Sequence, residues 1–405
     1  MAQQVKRAFK YRFHPTDEQA AELSRTFGCV RLVYNKALEA RGDAWRTEQR
    51  SIGYVESSAM LTAWKRTEEL AFLSEVSSVP LQQGLRHLQK AFGNFFHKRA
   101  KYPAFKSKKK SRASAEYTAS AFRFRDGALT LAKMREPLAI VWSRPLPDGV
   151  EPTTVTVSKD AAARWHVSML CTDTIEALPE SAAVVGIDAG ITSLLTLSTG
   201  EKVTNPRFER RDRERLAKAQ RQLAKKQKGS ANRAKARLKA AEVHARITDR
   251  RRDHLQKLTT RLVRENQTIV IEDLTVRNMV KHHTLARAIS DAAWTHMRGM
   301  LEYKASWYGR ELVVVDRWYP SSKLCSDCGH RVATMPLNVR TWTCGNCGSI
   351  HDRDVNAAIN IKQEGRRIVA AGLAETRNAC GADTRPQGST PGRQSATKQE
   401  TLTAN

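Results

Sequence analysis

No run of apolar residues in this 405-residue chain approaches the roughly 18 needed to cross a bilayer, which argues against a spanning helix. Residues 1–13 alternate basic and apolar side chains and lack the apolar core of a signal peptide, so the expected compartment is the cytoplasm. Cysteine is scarce. Of the seven present, four fall in one tight pattern and Cys29, Cys171 and Cys380 stand alone, which excludes a disulfide framework and suggests a metal site. There is no Gly-rich phosphate loop of the Walker type, so an NTP-driven step is not supported, and there is no internal repeat. Acidic residues are also in short supply: 69 Lys and Arg face 41 Asp and Glu, a net charge of +28. That much self-repulsion calls for a polyanionic partner, and nucleic acid leads because each phosphate contact releases counterions.

What is present suits a folded chain of more than one domain. Hydrophobic residues make up 40% and charged residues 27%, and the length exceeds what one core sustains. Alternation over 5–13 predicts a strand that ends at His14-Pro15. Thr16 to Gln19 reads as a capped helix start, with Leu23, Phe27, Val30, Leu32 and Val33 as an apolar face. Helical patterns run to about residue 99, with a polar break around 51–58. The period then becomes two: 122–125, Asp126-Gly127 and 129–131 form a hairpin, and 155–157 and 165–170 are expected to join its sheet. Strands are expected again at 184–188, 194–197, 269–272 and 312–315, with helices around 290–308 and 356–371. Between 207 and 264 lie 21 Lys and Arg against 6 Asp and Glu, broken at Gly229-Ser230, which suggests two basic helices folded back on each other. Residues 381–405, rich in Gly, Pro, Ser, Thr and Gln, are expected to be disordered.

Cys325-x2-Cys328 and Cys344-x2-Cys347 are 15 residues apart, and Gly329 and Gly348 each permit the turn that points backbone N–H groups at sulfur. Four thiolates close a tetrahedral zinc shell and leave no position for water, so that centre is structural. Three carboxylates suggest chemistry. Asp188 ends the apolar run 184–187, Glu272 ends 269–271, and Asp354 precedes a helix. Singly, each could be a solvated turn residue or a helix cap. Together, converging from strand ends and a helix start, they could hold two divalent cations for phosphodiester cleavage. Their hard oxygens favour magnesium or manganese.

The order Gly-Ile-Asp-Ala-Gly, Ile-Glu-Asp-Leu, four-cysteine ribbon and Asp-Arg-Asp-Val-Asn-Ala-Ala-Ile-Asn-Ile resembles the RuvC-like nuclease of TnpB proteins, relatives of the type V CRISPR effectors. Ala292 to Ala305, Tyr319-Pro320-Ser321-Ser322, Phe27-Gly28 to Tyr34-Asn35, and Tyr102-Pro103-x-Phe105-Lys106 are similar too. The resemblance thus covers nearly all of 1–380. It implies a multidomain α+β fold: a wedge-like β-barrel (1–15 and 103–180) with a helical recognition insert (16–102), then an RNase H-like α/β nuclease core (181–320 and 350–380) with an inserted zinc ribbon (321–349). It implies Asp188, Glu272 and Asp354 as metal-binding catalytic acids, leaving out the adjacent Asp273 and Asp352. It implies a guide RNA, one protein per RNA, and a double-stranded DNA target beside a short motif. By similarity Tyr54 and Gln82 are candidates for reading that motif, while Ser78 stands where some relatives carry a basic residue.

The basic stretch 207–264 and a second patch, Lys106 to Lys110 with Arg112, could follow phosphates. His97, His254 and His351 read as surface or packing residues, and Trp294, Trp307, Tyr308, Trp318 and Tyr319 as core rather than base-stacking groups. The reading favoured is an RNA-guided DNA endonuclease using magnesium or manganese, with zinc as a structural ion. The alternatives are a transposase that uses the same acids for strand transfer, a guided DNA-binding regulator, which would lack one acid, and a ribosomal zinc-ribbon protein, which would need none.

Overall fold

The computed structural model describes residues 2–376 apart from 110 and 337, with side chains as far as 372. The tail expected at 381–405, and Cys380, lie outside the described residues. Contacts divide the chain into two units. One takes residues up to Ile175 together with Arg215–Ala245; the other takes Glu176–Glu214 and the chain from Arg246 onward.

In the first unit, β1 (Ala2–His14) buries Phe9, Tyr11 and Phe13 on one face, as its alternation requires. Thr16 then starts α1 (Asp17–Glu48) with a reciprocal cap. Its hydroxyl accepts from the Gln19 amide and the Gln19 side chain accepts from the Thr16 amide, each at 3.2 Å. Helices α2 (Tyr54–Trp64) and α3 (Ser78–Phe96) pack with α1 around Val33, Leu61, Leu81, Leu85 and Leu88. Two motifs distant in sequence meet here: the Asn35 side chain both donates to the Lys106 carbonyl and accepts from the Lys106 amide, at 2.8 Å each.

The sheet of this unit comes from β1 and later strands: β2 (Ala113–Thr118), β3 (Phe122–Arg125), β4 (Ala128–Leu131), β5 (Ala139–Val141), β6 (Pro152–Lys159) and β7 (Trp165–Glu176). Its order is β2-β6-β7-β1-β5, while β3 and β4 form a separate hairpin. Asp126 and Gly127 take φ of +48° and +75°, the left-handed pair that a two-residue hairpin turn demands. Two expectations are corrected. The 122–131 hairpin does not join the sheet of β6 and β7. No barrel closes among the described residues: β2 and β5 remain edges, and three-residue β5 cannot carry the stagger that closure needs.

The second unit is built on β8 (Val184–Ala189), β9 (Ser193–Leu197), β10 (Lys202–Thr204), β11 (Thr268–Glu272) and β12 (Glu311–Val315), in the order β10-β9-β8-β11-β12. The β10-β9-β8 pairings are antiparallel; β8, β11 and β12 run parallel. Parallel strands buried on both faces read as unbroken apolar runs, which is why 184–187 and 269–271 were legible as strands. The basic stretch forms α4 (Phe208–Ala224) and α5 (Ala231–Glu265), separated where Gly229 takes φ +90°. Leu255, Leu258 and Leu262 of α5 are buried in the sheet's core, as their spacing predicts. After the short α6 (Val276–Met279), the single helix expected around 290–308 is two, α7 (Ala286–Ala292) and α8 (Trp294–Tyr308), because Ala293 adopts φ +55°.

Two short strands, β13 (Thr341–Thr343) and β14 (Ile350–Asp352), pair ahead of α9 (Arg353–Thr376). Helix α9 lies against β8 and β11 at two glycines. A Cβ on Gly186 would meet the Lys362 amide nitrogen at 2.5 Å, with the Ala358 carbonyl closer still, and one on Gly365 would collide with the Val270 methyls. Such close approach is what the missing side chains allow.

Candidate metal centres

Strand register explains the first pairing of acids. Ile187 of β8 is level with Ile271 of β11, so Asp188 and Glu272, the next residue on each strand, sit side by side at the same end of the sheet. Asp354 is the second residue of α9, and the contact of that helix with Gly186 carries it to the same place. Burial, then the negative charges of Glu272 and Asp354, push the Asp188 carboxyl up to about 8. Glu272 is raised by burial, offset in part by the Ser321 hydroxyl, which donates to its Oε1 at 2.7 Å. The structure therefore brings all three sequence-predicted acids within electrostatic reach of one another. All three side chains are half-buried, and among the described residues only the four cysteines bring a group of metal-ligating atoms within 4.8 Å of one another; the acids offer hard oxygens of the kind magnesium and manganese favour.

The two neighbouring carboxylates have other occupations. Asp352 caps α9, its Oδ1 accepting from the Asp354 and Val355 amides at 3.1 and 3.0 Å, while its Oδ2 takes Lys202 at 2.6 Å. Asp273 is held between Arg298, at 2.8 Å, and Arg317.

The four cysteines form two matching knuckles. The Gly329 amide donates to the Cys325 carbonyl and the Gly348 amide to the Cys344 carbonyl, both at 2.9 Å, with both glycines at φ +74°. All four sulfurs lie within 4.8 Å of one another, with Cys325 to Cys347 at 3.7 Å and Cys328 to Cys344 at 3.6 Å. A tetrahedron with metal–sulfur bonds of about 2.3 Å has edges of about 3.8 Å, so the spacing fits zinc. His351 is expected at the surface or in packing. It packs: it is buried, its ring 4.9 Å from that of Trp342, and its Nε2 lies 3.1 Å from the Cys325 sulfur. Nothing in a lone histidine seven residues past Cys344 signals that contact; it depends on the pairing of β13 with β14.

In the first unit, Tyr54 opens α2 and Gln82 is exposed on α3. Arg86, which sequence reading missed, donates to the Tyr54 hydroxyl at 3.2 Å, stacks 4.9 Å above its ring, and lies one turn from Gln82 on α3. A different face of α3, with Gln83 and His87, lines a cleft with Arg31, Lys106, Arg112 and Glu116. In the expected patch of Lys106 to Lys110 with Arg112, Lys106 lies 3.8 Å over the Tyr34 ring, Lys108 and Lys109 are exposed, Arg112 donates to Ser158 at 3.0 Å, and Lys110 lies outside the described residues.

Family comparisons match residues 157–283 to a model described as "Probable transposase" and residues 294–361 to "Cas12f1-like, TNB domain". Residues 1–50 match a "Helix-turn-helix domain", although in this chain they form a strand and one long helix. A protein of Streptomyces pristinaespiralis named "Putative RNA-guided DNA endonuclease" is 72% identical over 402 residues, covering 99% of this chain and 97% of the relative. The chain belongs to the TnpB family. The Escherichia coli relative named InsQ, under the same description, is 33% identical over 388 residues, covering 90% of this TnpB chain and 94% of its own. The fold also resembles that of Cas12f1 in a cryo-EM complex with sgRNA and target DNA, at a TM-score of 0.54 and 14% identity, over 86% of this chain and 83% of that one. No described helix of this TnpB protein is long and apolar enough to cross a membrane.

Proposed function

We propose that this chain is an RNA-guided DNA endonuclease that hydrolyses phosphodiester bonds of double-stranded DNA with magnesium or manganese held by Asp188, Glu272 and Asp354. The observation that carries the reading is the register that sets Asp188 of β8 beside Glu272 of β11, with Asp354 at the start of α9 close enough to act on Asp188 electrostatically. Relatives across nearly the whole chain bear that activity in their names. A five-stranded sheet in the order β10-β9-β8-β11-β12, with acids near the C-terminal ends of its interior strands β8 and β11, supports the RNase H-like reading of this unit. Divalent cations there would activate the attacking water and stabilise the leaving oxygen. The chain's own part is to hold three carboxylates near one end of the sheet and to present basic surface to the phosphates. Cys325, Cys328, Cys344 and Cys347 hold zinc as a structural ion.

Guide pairing supplies sequence choice, so the protein need read only a short flanking motif. Tyr54, which carries Arg86 on its ring, and Gln82 are assigned that role, with one protein per guide RNA in the cytoplasm. The test is purification of the complex from its host, sequencing of the bound RNA, and cleavage of matching DNA with and without EDTA. Cutting that follows the guide and stops with EDTA upholds the proposal. A joined product made without RNA replaces it with strand transfer.

A further inference from the structure

Beside the three carboxylates, the second unit holds a run of buried polar side chains with no part in the reaction described so far. Ser321, Asn356 and Asn360 are 7%, 1% and 1% exposed. Asn356 and Asn360 are one turn apart on α9 and face the first cysteine knuckle. Asn356 Oδ1 accepts from the Ser326 amide at 2.9 Å, and its Nδ2 donates to the Leu324 carbonyl at 2.6 Å. Asn360 Nδ2 donates to the carbonyls of Leu324 and Ser321, both at 2.8 Å. Ser321 Oγ in turn donates to Glu272 Oε1 at 2.7 Å. An unbroken path of hydrogen bonds thus runs from the knuckle, through α9, to the acid at the end of β11.

A glutamate at a strand end has three side-chain torsions and no fixed carboxylate position. One buried donor on Oε1 fixes the group and leaves the second oxygen for a cation. Hydrogen bonds of this kind orient metal ligands, and losing one typically costs about 10–100-fold in metal affinity. We propose that Ser321 is the positioning residue for Glu272, and that Asn360 and Asn356 anchor Ser321 to the cysteine knuckle. Divalent-cation binding at the nuclease site then depends on a hydroxyl outside the ligand set. This inference rests on the endonuclease reading.

The test is manganese binding to the full-length, zinc-loaded chain, followed by EPR, with zinc content and melting temperature measured on the same preparations. Ser321→Ala is expected to bind Mn2+ about tenfold or more weakly, with zinc content and melting unchanged. Ser321→Thr, which keeps the hydroxyl, stays near the parent. Asn360→Ala, which frees Ser321 without touching a carboxylate, weakens Mn2+ binding in the same direction. The control is Asp188→Ala. If it abolishes the Mn2+ site while Ser321→Ala leaves that site intact, the positioning role is wrong and the nuclease reading stands. If the parent has no Mn2+ site for Asp188→Ala to remove, the carboxylate reading itself falls. Loss of zinc or a large drop in melting temperature in Ser321→Ala, or equal weakening in Ser321→Thr, makes Ser321 a packing residue and overturns the proposal.

Discussion

Gly186 and Ala358 are in backbone contact: a side chain on Gly186 has no room before the Ala358 carbonyl and the Lys362 amide. That contact sets the distance from β8 to α9, and so the distance from Asp188 to Asp354. Gly186→Ala must push α9 outward. Cleavage should fall at least 100-fold, a 1 Å misplacement being enough to do so, while guide RNA affinity holds. Cutting at the parent rate would show that α9 does not need to lie so close.

Asp188→Ala should abolish metal-dependent cutting and leave guide and target binding intact, as filter binding on the assembled complex would read. Retained cutting would remove Asp188 from the site.

Without metal, the Asp188 carboxyl keeps its proton to about pH 8, whereas an unfolded aspartate loses it near 4. The folded chain binds more protons across that window, so this group's contribution to stability is present below pH 4 and is lost as pH rises towards 8. The slope approaches about 1.4 kcal/mol per pH unit at most. In EDTA, melting temperature should fall from pH 5 to pH 8 in the parent and fall less in Asp188→Asn. Magnesium should flatten the parent's profile, and identical slopes in both proteins would contradict the assigned proton.

Cys325→Ser combined with Cys344→Ser should lose zinc and lower the melting temperature, because metal-binding energy is folding energy for a small ribbon. Unchanged zinc content and unchanged melting would refute the four-thiolate centre.

Asp291 is buried, accepts from the Glu209 amide at the start of α4 at 3.0 Å, and pairs with Arg251 at 2.6 Å. Asp291→Ala strands a half-buried guanidinium and uncaps the helix, at a cost of about 3 kcal/mol. Urea unfolding followed by circular dichroism measures it, and a loss under about 1 kcal/mol would show that Arg251 finds another partner.

Much of this was legible from residue patterns. The Thr16–Gln19 cap, the Asp126-Gly127 turn, the apolar runs before Asp188 and Glu272, and the paired CxxC knuckles are local signals, each complete within a few residues. What escaped depends on distant partners. Whether β2 and β5 meet is decided by strand lengths and staggers that no window of sequence contains. The break at Ala293 is a left-handed alanine, which composition does not announce. Arg86 on Tyr54, Ser321 on Glu272 and His351 on Cys325 span 32, 49 and 26 residues. Each pairing exists only once the fold has formed.

The order in which the acids leave the ribosome has a consequence of its own. Asp188 and Glu272 emerge long before Asp354, which arrives on the last described helix and must dock back against Gly186. On the proposed reading, a nascent chain carries two carboxylates and no complete cation cage until that helix folds home.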